Sequence, residues 1–567
     1  MKNALPLILA LLLPMTLSAA SPSAPIGTGG AVASADPLAT AAGLSILREG
    51  GNAVAAAVAT ALALAVVYPE AGNLGGGGFA VIRMGDALST LDFRETAPAA
   101  AHRTLYLDAE GRPVENASLV GPLAAGVPGS PAGLYELHQR HGKLPWARIV
   151  EPARRLAADG FPVSRYLHDL LGKEESRKLL LRFPETAAVW LPGGEPPKAG
   201  SVLRLPDLAE TLGRYAEEGP GGITAGPAAA AVEAASRKYG GILTAADLAA
   251  YRPVWRDPLT FEAFGWKIAS MPLPSSGGVI LGQTLGVLER LKWGSLPRFG
   301  ADRAHLLTEA FRRAFADRYL MGDPSTTQAT EAQLLAAGWI ARRAGEIDPR
   351  RATPSAEVKS WPGTAAQAAP GSGETTHLST VDKDGNLVAL TTTLNGLFGA
   401  GLWVPGAGFF LNNEMDDFAT APGKPNLFGL IQGEANAVAP GKRMLSSMTP
   451  AIAWKGKEAV AVGGRGGSRI PTNTIEVLLN LIVDGDSLQA AVDRPRLHHQ
   501  WLPDRLEVEA DTFSPETRAE IDRRGHQVQV SSTTAKIHAV RRRPDGRFEA
   551  ASDPRSTGNG AVLAPEP

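Results

Sequence analysis

Glu374-Thr375-Thr376-His377, continued by Leu378-Ser379-Thr380-Val381, the turn Lys383-Asp384-Gly385-Asn386 and residues 387–394, is the stretch on which the reading turns. Before it, residues 353–373 are rich in Pro, Gly, Ala and Ser with little periodicity, which predicts an exposed connector. After it, β-branched residues flank an Asp-Gly, the pattern of a hairpin. With Asp384-Gly385 as a two-residue loop, Thr375 stands opposite Leu394 and beside Thr393 and Asn395, so hydroxyls distant in sequence become neighbours. A Thr-Thr before a strand ordinarily reflects β-propensity and nothing more. Here it sits where a loose connector meets a core strand. Cleavage at that point would free an α-amine with a pKa of about 7.7–8.0, a base for the hydroxyl of the same residue.

Working outward, strands are predicted at 451–454 and 459–462, leading into Gly463-Gly464-Arg465-Gly466-Gly467-Ser468-Arg469 and a helix over 472–482. Upstream, Asn52 precedes residues 53–67, an uncharged Ala/Leu/Val run that predicts a helix buried on every side and too short to span a bilayer. Gly75 to Gly78 has no Lys after it, so it predicts a tight turn or close backbone approach more readily than a phosphate cradle. Strands follow at 79–83 and 89–93 about the turn Gly85-Asp86. Residues 134–343 read as a helical middle between sheet-rich ends, and 21–36 as a flexible lead-in.

The 567 residues carry 56 Lys+Arg against 57 Asp+Glu, so no basic surplus points to nucleic acid. Apolar residues at 44% and charged residues at 20% predict a folded chain with a large core. Cysteine is absent, which excludes disulfides, thiolate metal sites and a cysteine nucleophile. Met1-Lys2-Asn3, a short apolar run and Leu17-Ser18-Ala19-Ala20 predict an export signal over residues 1–20, leaving a periplasmic or secreted chain with no membrane anchor. The serine-hydrolase, P-loop and zincin signatures are missing. His138 and His141 predict surface positions at a helix end. No metal and no cofactor is expected.

Taken together, Gly50-Gly51-Asn52-Ala53, Pro69 through Phe79, Asp92-Phe93-Arg94-Glu95, Thr375-Thr376-His377, Leu411 through Phe418, Leu445-Ser446-Ser447-Met448, Gly466-Gly467-Ser468-Arg469 and Ser552-Asp553-Pro554-Arg555 resemble the γ-glutamyltranspeptidases, or glutathione hydrolases, in order and spacing. The resemblance covers essentially the whole mature chain. It implies an α+β fold, the four-layer αββα sandwich of an N-terminal-nucleophile hydrolase. It also implies a precursor that cuts itself between Glu374 and Thr375, giving a large subunit of residues 21–374, ending in the connector 353–374, and a small subunit of residues 375–567.

Carried over by residue, Thr375 is the nucleophile and Thr393 the second threonine, whose hydroxyl contacts the nucleophile's amine. Gly466 and Gly467 supply oxyanion N–H donors. Arg94, Ser446 and Ser447 bind the α-carboxylate of a γ-glutamyl group; Asn395, Glu414 and Asp417 bind its α-amine. The partners implied are glutathione and related γ-glutamyl compounds as donors, and amino acids or dipeptides as acceptors. Three positions depart from the family pattern: Ala55 where many relatives have Asp, Phe428 where Tyr is frequent, and Arg465 where Pro is common in bacterial relatives. Two rivals are a cephalosporin or glutaryl acylase of the same superfamily and an unprocessed, non-catalytic exported binding protein.

Overall fold

The computed structural model describes residues 23–360, 375–421, 425–532 and 534–564. The predicted export signal, Glu374 and most of the connector lie outside the described residues.

Two seven-stranded antiparallel sheets form the centre. One runs Ile26–Gly27, Phe548–Ser552, Lys536–Arg542, Glu458–Arg465, Ala451–Lys455, Trp266–Ser270, Leu259–Ala263; the other runs Asn559–Val562, Gly30–Ser34, Thr375–Asp382, Leu387–Thr393, Gly77–Met84, Ala87–Phe93, Val254–Arg256. Between them lies a core of small side chains, among them Ala31, Ala33, Ala269, Ala389, Ala459 and Ala461 with Ile452 and Val540. Short side chains let the sheets approach closely enough to exclude water. Helices Pro37–Arg48, Ala53–Val67 and Trp146–Asp159 cover the outer face of the second sheet, and Gly277–Arg290, Ala301–Arg318 and Arg469–Ile482 that of the first, each over its own apolar core. These are the four layers of an αββα sandwich.

The helix Ala53–Val67 is buried at every residue, as its sequence predicts. Its first turn is capped by Asn52, whose Oδ1 accepts from Ala55 N at 3.0 Å. The glycine run behaves as a close approach: a β-carbon on Gly76 would sit 2.1 Å from Thr393 O, and one on Gly78 2.2 Å from Thr391 O. Only glycine lets the strand Gly77–Met84 lie against Leu387–Thr393 there.

The hairpin differs from its predicted register. Its loop has three residues, not two: Gly385 N donates to Asp382 O at 3.0 Å, Asp382 N to Asn386 O at 3.1 Å, and Gly385 takes φ +84°. The Asp382 carboxylate starts this turn, accepting from Asp384 N and Asn386 N, both at 3.0 Å. Thr375 therefore pairs with Thr393, not Leu394. A slip of one residue turns every side chain to the opposite face, so this correction is what puts the two hydroxyls on the same face.

Three other expectations are corrected. The lead-in is not loose, because Gly30–Ser34 is buried and pairs with Ser379 to Asp382 of the threonine strand. The middle is not helical throughout: Val254–Arg256, Leu259–Ala263 and Trp266–Ser270 supply an edge strand to one sheet and two strands to the other. His138 is buried, its ring edge-on to Trp146 at 5.3 Å.

Candidate active site

Nine of the expected residues line one pocket: Arg94, Thr375, Thr393, Asn395, Glu414, Asp417, Ser446, Ser447 and Gly467, closed by Phe428, Met448 and Ile470. Gly466 lines an adjoining cavity instead.

Thr375 opens its strand with its hydroxyl turned inward, 4% exposed. Oγ1 donates to Thr393 Oγ1 at 3.3 Å, and Thr393 Oγ1 also accepts from Asn395 N at 2.8 Å. Asn395 reaches that position by adopting φ +74°, a strained conformation for a residue with a side chain, and its Nδ2 donates to Asn413 O at 2.9 Å. Behind the pair, Asn73 Nδ2 donates to Thr393 O at 2.9 Å and to Thr392 Oγ1 at 3.0 Å, fixing the strand end. His377 is no base for this hydroxyl. Its ring nitrogens meet the hydroxyls of Thr391 and Ser379 at 2.8 and 2.9 Å, and burial holds its pKa well below the usual imidazole value.

The opposite wall is a buried charge cluster. Arg94 Nη1 lies 2.6 Å from Glu414 Oε2 and 3.6 Å from Glu95 Oε2, while Nη2 lies 2.5 Å from Asp417 Oδ2. Burial opposes ionisation of all three carboxyls, raising Glu414 well above the usual carboxylate range, Asp417 in the same direction and Glu95 to about 7, with Arg94 pulling each back down. The three acids in turn raise the Arg94 guanidinium above its ordinary value against the effect of burial, so it stays charged. Ser446 Oγ accepts from Met448 N at 3.1 Å, whereas Ser447 Oγ is buried with no hydrogen-bond partner among the described residues. An unsatisfied buried hydroxyl in a pocket that also holds a guanidinium is what an anionic ligand group would complete.

Gly466 at φ +138° and Gly467 at φ +57° make the turn between the strand Glu458–Arg465 and the helix Arg469–Ile482. A β-carbon on Gly467 would fall 2.1 Å from Phe428 Cδ1, so the Phe428 ring rests on the main chain of that turn. The segment carrying Phe428 is tied down by the acidic loop: Asn426 Nδ2 donates to Asp417 Oδ1 at 3.0 Å and Leu427 N to Asp416 Oδ2 at 2.7 Å. Phe428 has no hydroxyl with which to reach Asn395.

Sequence reasoning missed Arg318, at the end of the helix Ala301–Arg318. It is 2% exposed, its Nε donates to Ser276 Oγ at 3.1 Å and its Nη1 to Gln432 Oε1 at 3.3 Å, and Ser276 Oγ in turn donates to Ser446 O at 2.7 Å. Burial lowers its pKa to about 10, with Asp417 opposing that fall. Gln432 and Asn436 donate to Asp417 O at 2.7 and 2.6 Å, so this second guanidinium and two amides set the positions of Asp417 and Ser446. No local motif marks these residues; only the tertiary packing does.

A helix-flanked pair of antiparallel sheets with a threonine hydroxyl at the head of a central strand defines an N-terminal-nucleophile hydrolase. A family model described as Gamma-glutamyltranspeptidase matches residues 39–563. The chain is 43% identical over 530 residues to the glutathione hydrolase proenzyme of Escherichia coli K12, an alignment covering 93% of this chain and 90% of that one. The structure overlays a cephalosporin acylase from Bacillus halodurans with a TM-score of 0.83 at 28% identity, covering 98% of this chain and all of the other. It overlays a gamma-glutamyltranspeptidase from Pseudomonas nitroreducens with a TM-score of 0.54 at 40% identity, covering 59% of this chain and 98% of that one. The chain belongs to the gamma-glutamyltranspeptidase family.

Proposed function

We propose that this chain is a proenzyme that cuts itself between Glu374 and Thr375 and then acts as a γ-glutamyltransferase and glutathione hydrolase. Support comes from one juxtaposition: the hydroxyl pair Thr375–Thr393 shares a buried pocket with a guanidinium held between two carboxylates. In the precursor the Thr375 hydroxyl attacks the Glu374 carbonyl, the acyl group shifts from nitrogen to oxygen, and water hydrolyses the ester. The freed α-amine then takes the proton of its own Oγ1 as that oxygen attacks the γ-amide carbonyl of the donor. Gly466 and Gly467 offer main-chain N–H groups to the oxyanion, a contribution worth about 10²–10³ in rate per donor elsewhere. Glutathione would leave cysteinylglycine and a γ-glutamyl ester, resolved by water or an acceptor amine.

A γ-glutamyl head group is a zwitterion, and the pocket is its complement. Its carboxylate would take Arg94 with Ser446 and Ser447, its ammonium Glu414, Asp417 and Asn395. The pocket leaves only about 20 Å³ free, room for one water. The head group therefore enters by inserting between Arg94 and its acids, exchanging one buried set of ion pairs for another. A glutaryl group has no ammonium and would leave the acids unpaired, which separates this reading from an acylase. Cleavage of residues 1–20 and a periplasmic or secreted location belong to the same reading; among the described residues no helix is long and apolar enough to cross a membrane.

The test is turnover of γ-glutamyl-p-nitroanilide with and without glycylglycine. Nitroaniline release that accelerates with the dipeptide is expected; a folded, purified chain that releases none would overturn the proposal.

A further inference from the structure

A cavity of about 330 Å³ is walled by the helices Ala301–Arg318 and Arg469–Ile482 and shares no lining residue with the pocket of Thr375. About 21 Å of helix separates Ala304, in its wall, from Arg318 beside the head-group pocket. Its volume falls within the range of small-molecule sites and suits a molecule of two fused rings. Three aromatic rings, Trp293, Phe299 and Phe513, stand in the wall with Leu307, Leu479 and Leu497. Phe299 is 58% exposed and holds φ +63°, a strained conformation for a residue with a β-carbon. Its ring is nonetheless fixed, with the guanidiniums of Arg298 and Arg494 over it at 5.0 and 4.7 Å. A strained aromatic held in place at the mouth of a cavity is a contact prepared for a ligand.

Charge in this wall is closed on itself. Arg303 Nη1 lies 2.6 Å from Asp484 Oδ1, Arg298 Nε 3.3 Å from Asp484 Oδ2, and Arg494 Nε 2.7 Å from Asp486 Oδ2. An anionic ligand would have to break one of these pairs, and a cationic one would meet three guanidiniums. Asp511 is exposed at the rim. The other acid of the wall, Glu476, is 8% exposed. Leu497 N and Asn473 Nδ2 each donate to one of its oxygens at 2.9 Å, and burial lifts its pKa to about 8, so at neutral pH it carries a proton. No acceptor for that proton stands among the described residues. A buried O–H without an acceptor is a place for a ligand oxygen.

We propose that this cavity is a ligand site, separate from the active site, for a neutral aromatic molecule of about two rings that carries a carbonyl oxygen. The rings lie against Phe299, Trp293 and Phe513, offset or edge-on as aromatic pairs prefer. The carbonyl accepts from the Glu476 carboxyl. Neutrality of the ligand follows from the paired charges of the wall, and its need for an acceptor from Glu476. Nothing in the site depends on the chemistry at Thr375.

The experiment measures dissociation constants by ligand-observed NMR at neutral pH on the purified protein, with coumarin, indole and coumarin-3-carboxylate as probes. Coumarin offers a carbonyl and no charge, indole only an N–H donor, and the third adds a carboxylate. Coumarin is expected to bind about tenfold more tightly than either of the others, the size of one hydrogen bond. Phe299→Ala, at an exposed position, should weaken coumarin about tenfold, and Ala304→Phe, which fills the cavity, should abolish its binding. Thermal unfolding checks that each variant is folded, and Phe299→Ala decides the matter where Ala304→Phe is not. No binding of coumarin to the wild type, indole or the carboxylate binding as tightly as coumarin, or an affinity unchanged in Phe299→Ala overturns the proposal.

Discussion

Thr375 is an ordinary alcohol until a base and an acceptor for its charge are built around it, and the described residues supply only part of that set. Thr393 accepts from its hydroxyl, and His377 is held neutral by burial with its ring nitrogens on Thr391 and Ser379. The base that the proposed function assigns is the amine that cleavage before Thr375 would release. At the head-group end, Asp417 touches Arg94, Asn426 and, through its carbonyl, Gln432 and Asn436. Asp417→Ala should reduce the preference for γ-glutamyl over glutaryl p-nitroanilide by about 100-fold, since removing one partner of a buried charge pair costs about 2–5 kcal/mol. An unchanged ratio would show that the ammonium is read elsewhere. These residues were named in the sequence from the family resemblance of the short motifs that carry them, since each taken singly reads as an ion pair, a cap or a solvated loop. Arg318 was not legible, because a lone arginine at a helix end looks like solvated surface until the fold buries it.

At the level of secondary structure, the hairpin carries the argument and Asp382 carries the hairpin. Its carboxylate accepts from Asp384 N, Asn386 N and Asn386 Nδ2, and at 3.0 Å from Ala53 N at the start of the buried helix. It thereby fixes the loop length and docks the turn onto the helix layer. Asp382→Ala should lower stability by about 3 kcal/mol in urea denaturation, because buried donors lose a charged acceptor; a loss under about 0.5 kcal/mol, the range of an indifferent surface change, would contradict this. The sequence announced a hairpin but not its register. A two-residue Asp-Gly loop and a three-residue loop with glycine in the left-handed position differ only in whether Asp382 begins the turn, a choice made by contacts with residues more than 300 positions away. The strand Gly30–Ser34 was missed for a related reason: Gly, Ala and Ser read as a linker locally, yet small residues are what a narrow gap between two sheets requires.

Across the molecule, four layers bury many carboxyls without enough cations near each, and this sets a pH dependence. Glu476, in the helix behind the glycine turn, accepts from Leu497 N and Asn473 Nδ2, both at 2.9 Å, yet burial raises its pKa from 4.5 to about 8. Glu95 and Asp416 are raised to about 7 by the same cause. Between the unfolded and folded values the folded chain keeps a proton that the unfolded chain releases, so the stability contributed by protonated Glu476 is full below pH 4.5 and erodes as pH rises toward 8, by up to about 1.4 kcal/mol per unit, while that of Glu95 and Asp416 is lost by about pH 7. Glu476→Gln should therefore raise Tm relative to wild type more at pH 8 than at pH 5; an offset that is the same at both would contradict the assignment. Sheet-rich ends around a helical middle were legible in the pattern and the sandwich only through the family resemblance, while the three strands at 254–270 were hidden in the charged middle. The pocket draws on both ends of the chain and on the helix Ala301–Arg318, which is why single motifs indicated its parts and only the fold assembled them.

The account stands on the release of Thr375 as a new chain terminus, and N-terminal sequencing combined with intact mass of active protein measures that directly. Two chains are expected, the smaller beginning Thr-Thr-His-Leu, and a single uncut, inactive chain from Thr375→Ala. Active material that remains one chain, or a smaller chain with any other first residue, would contradict it.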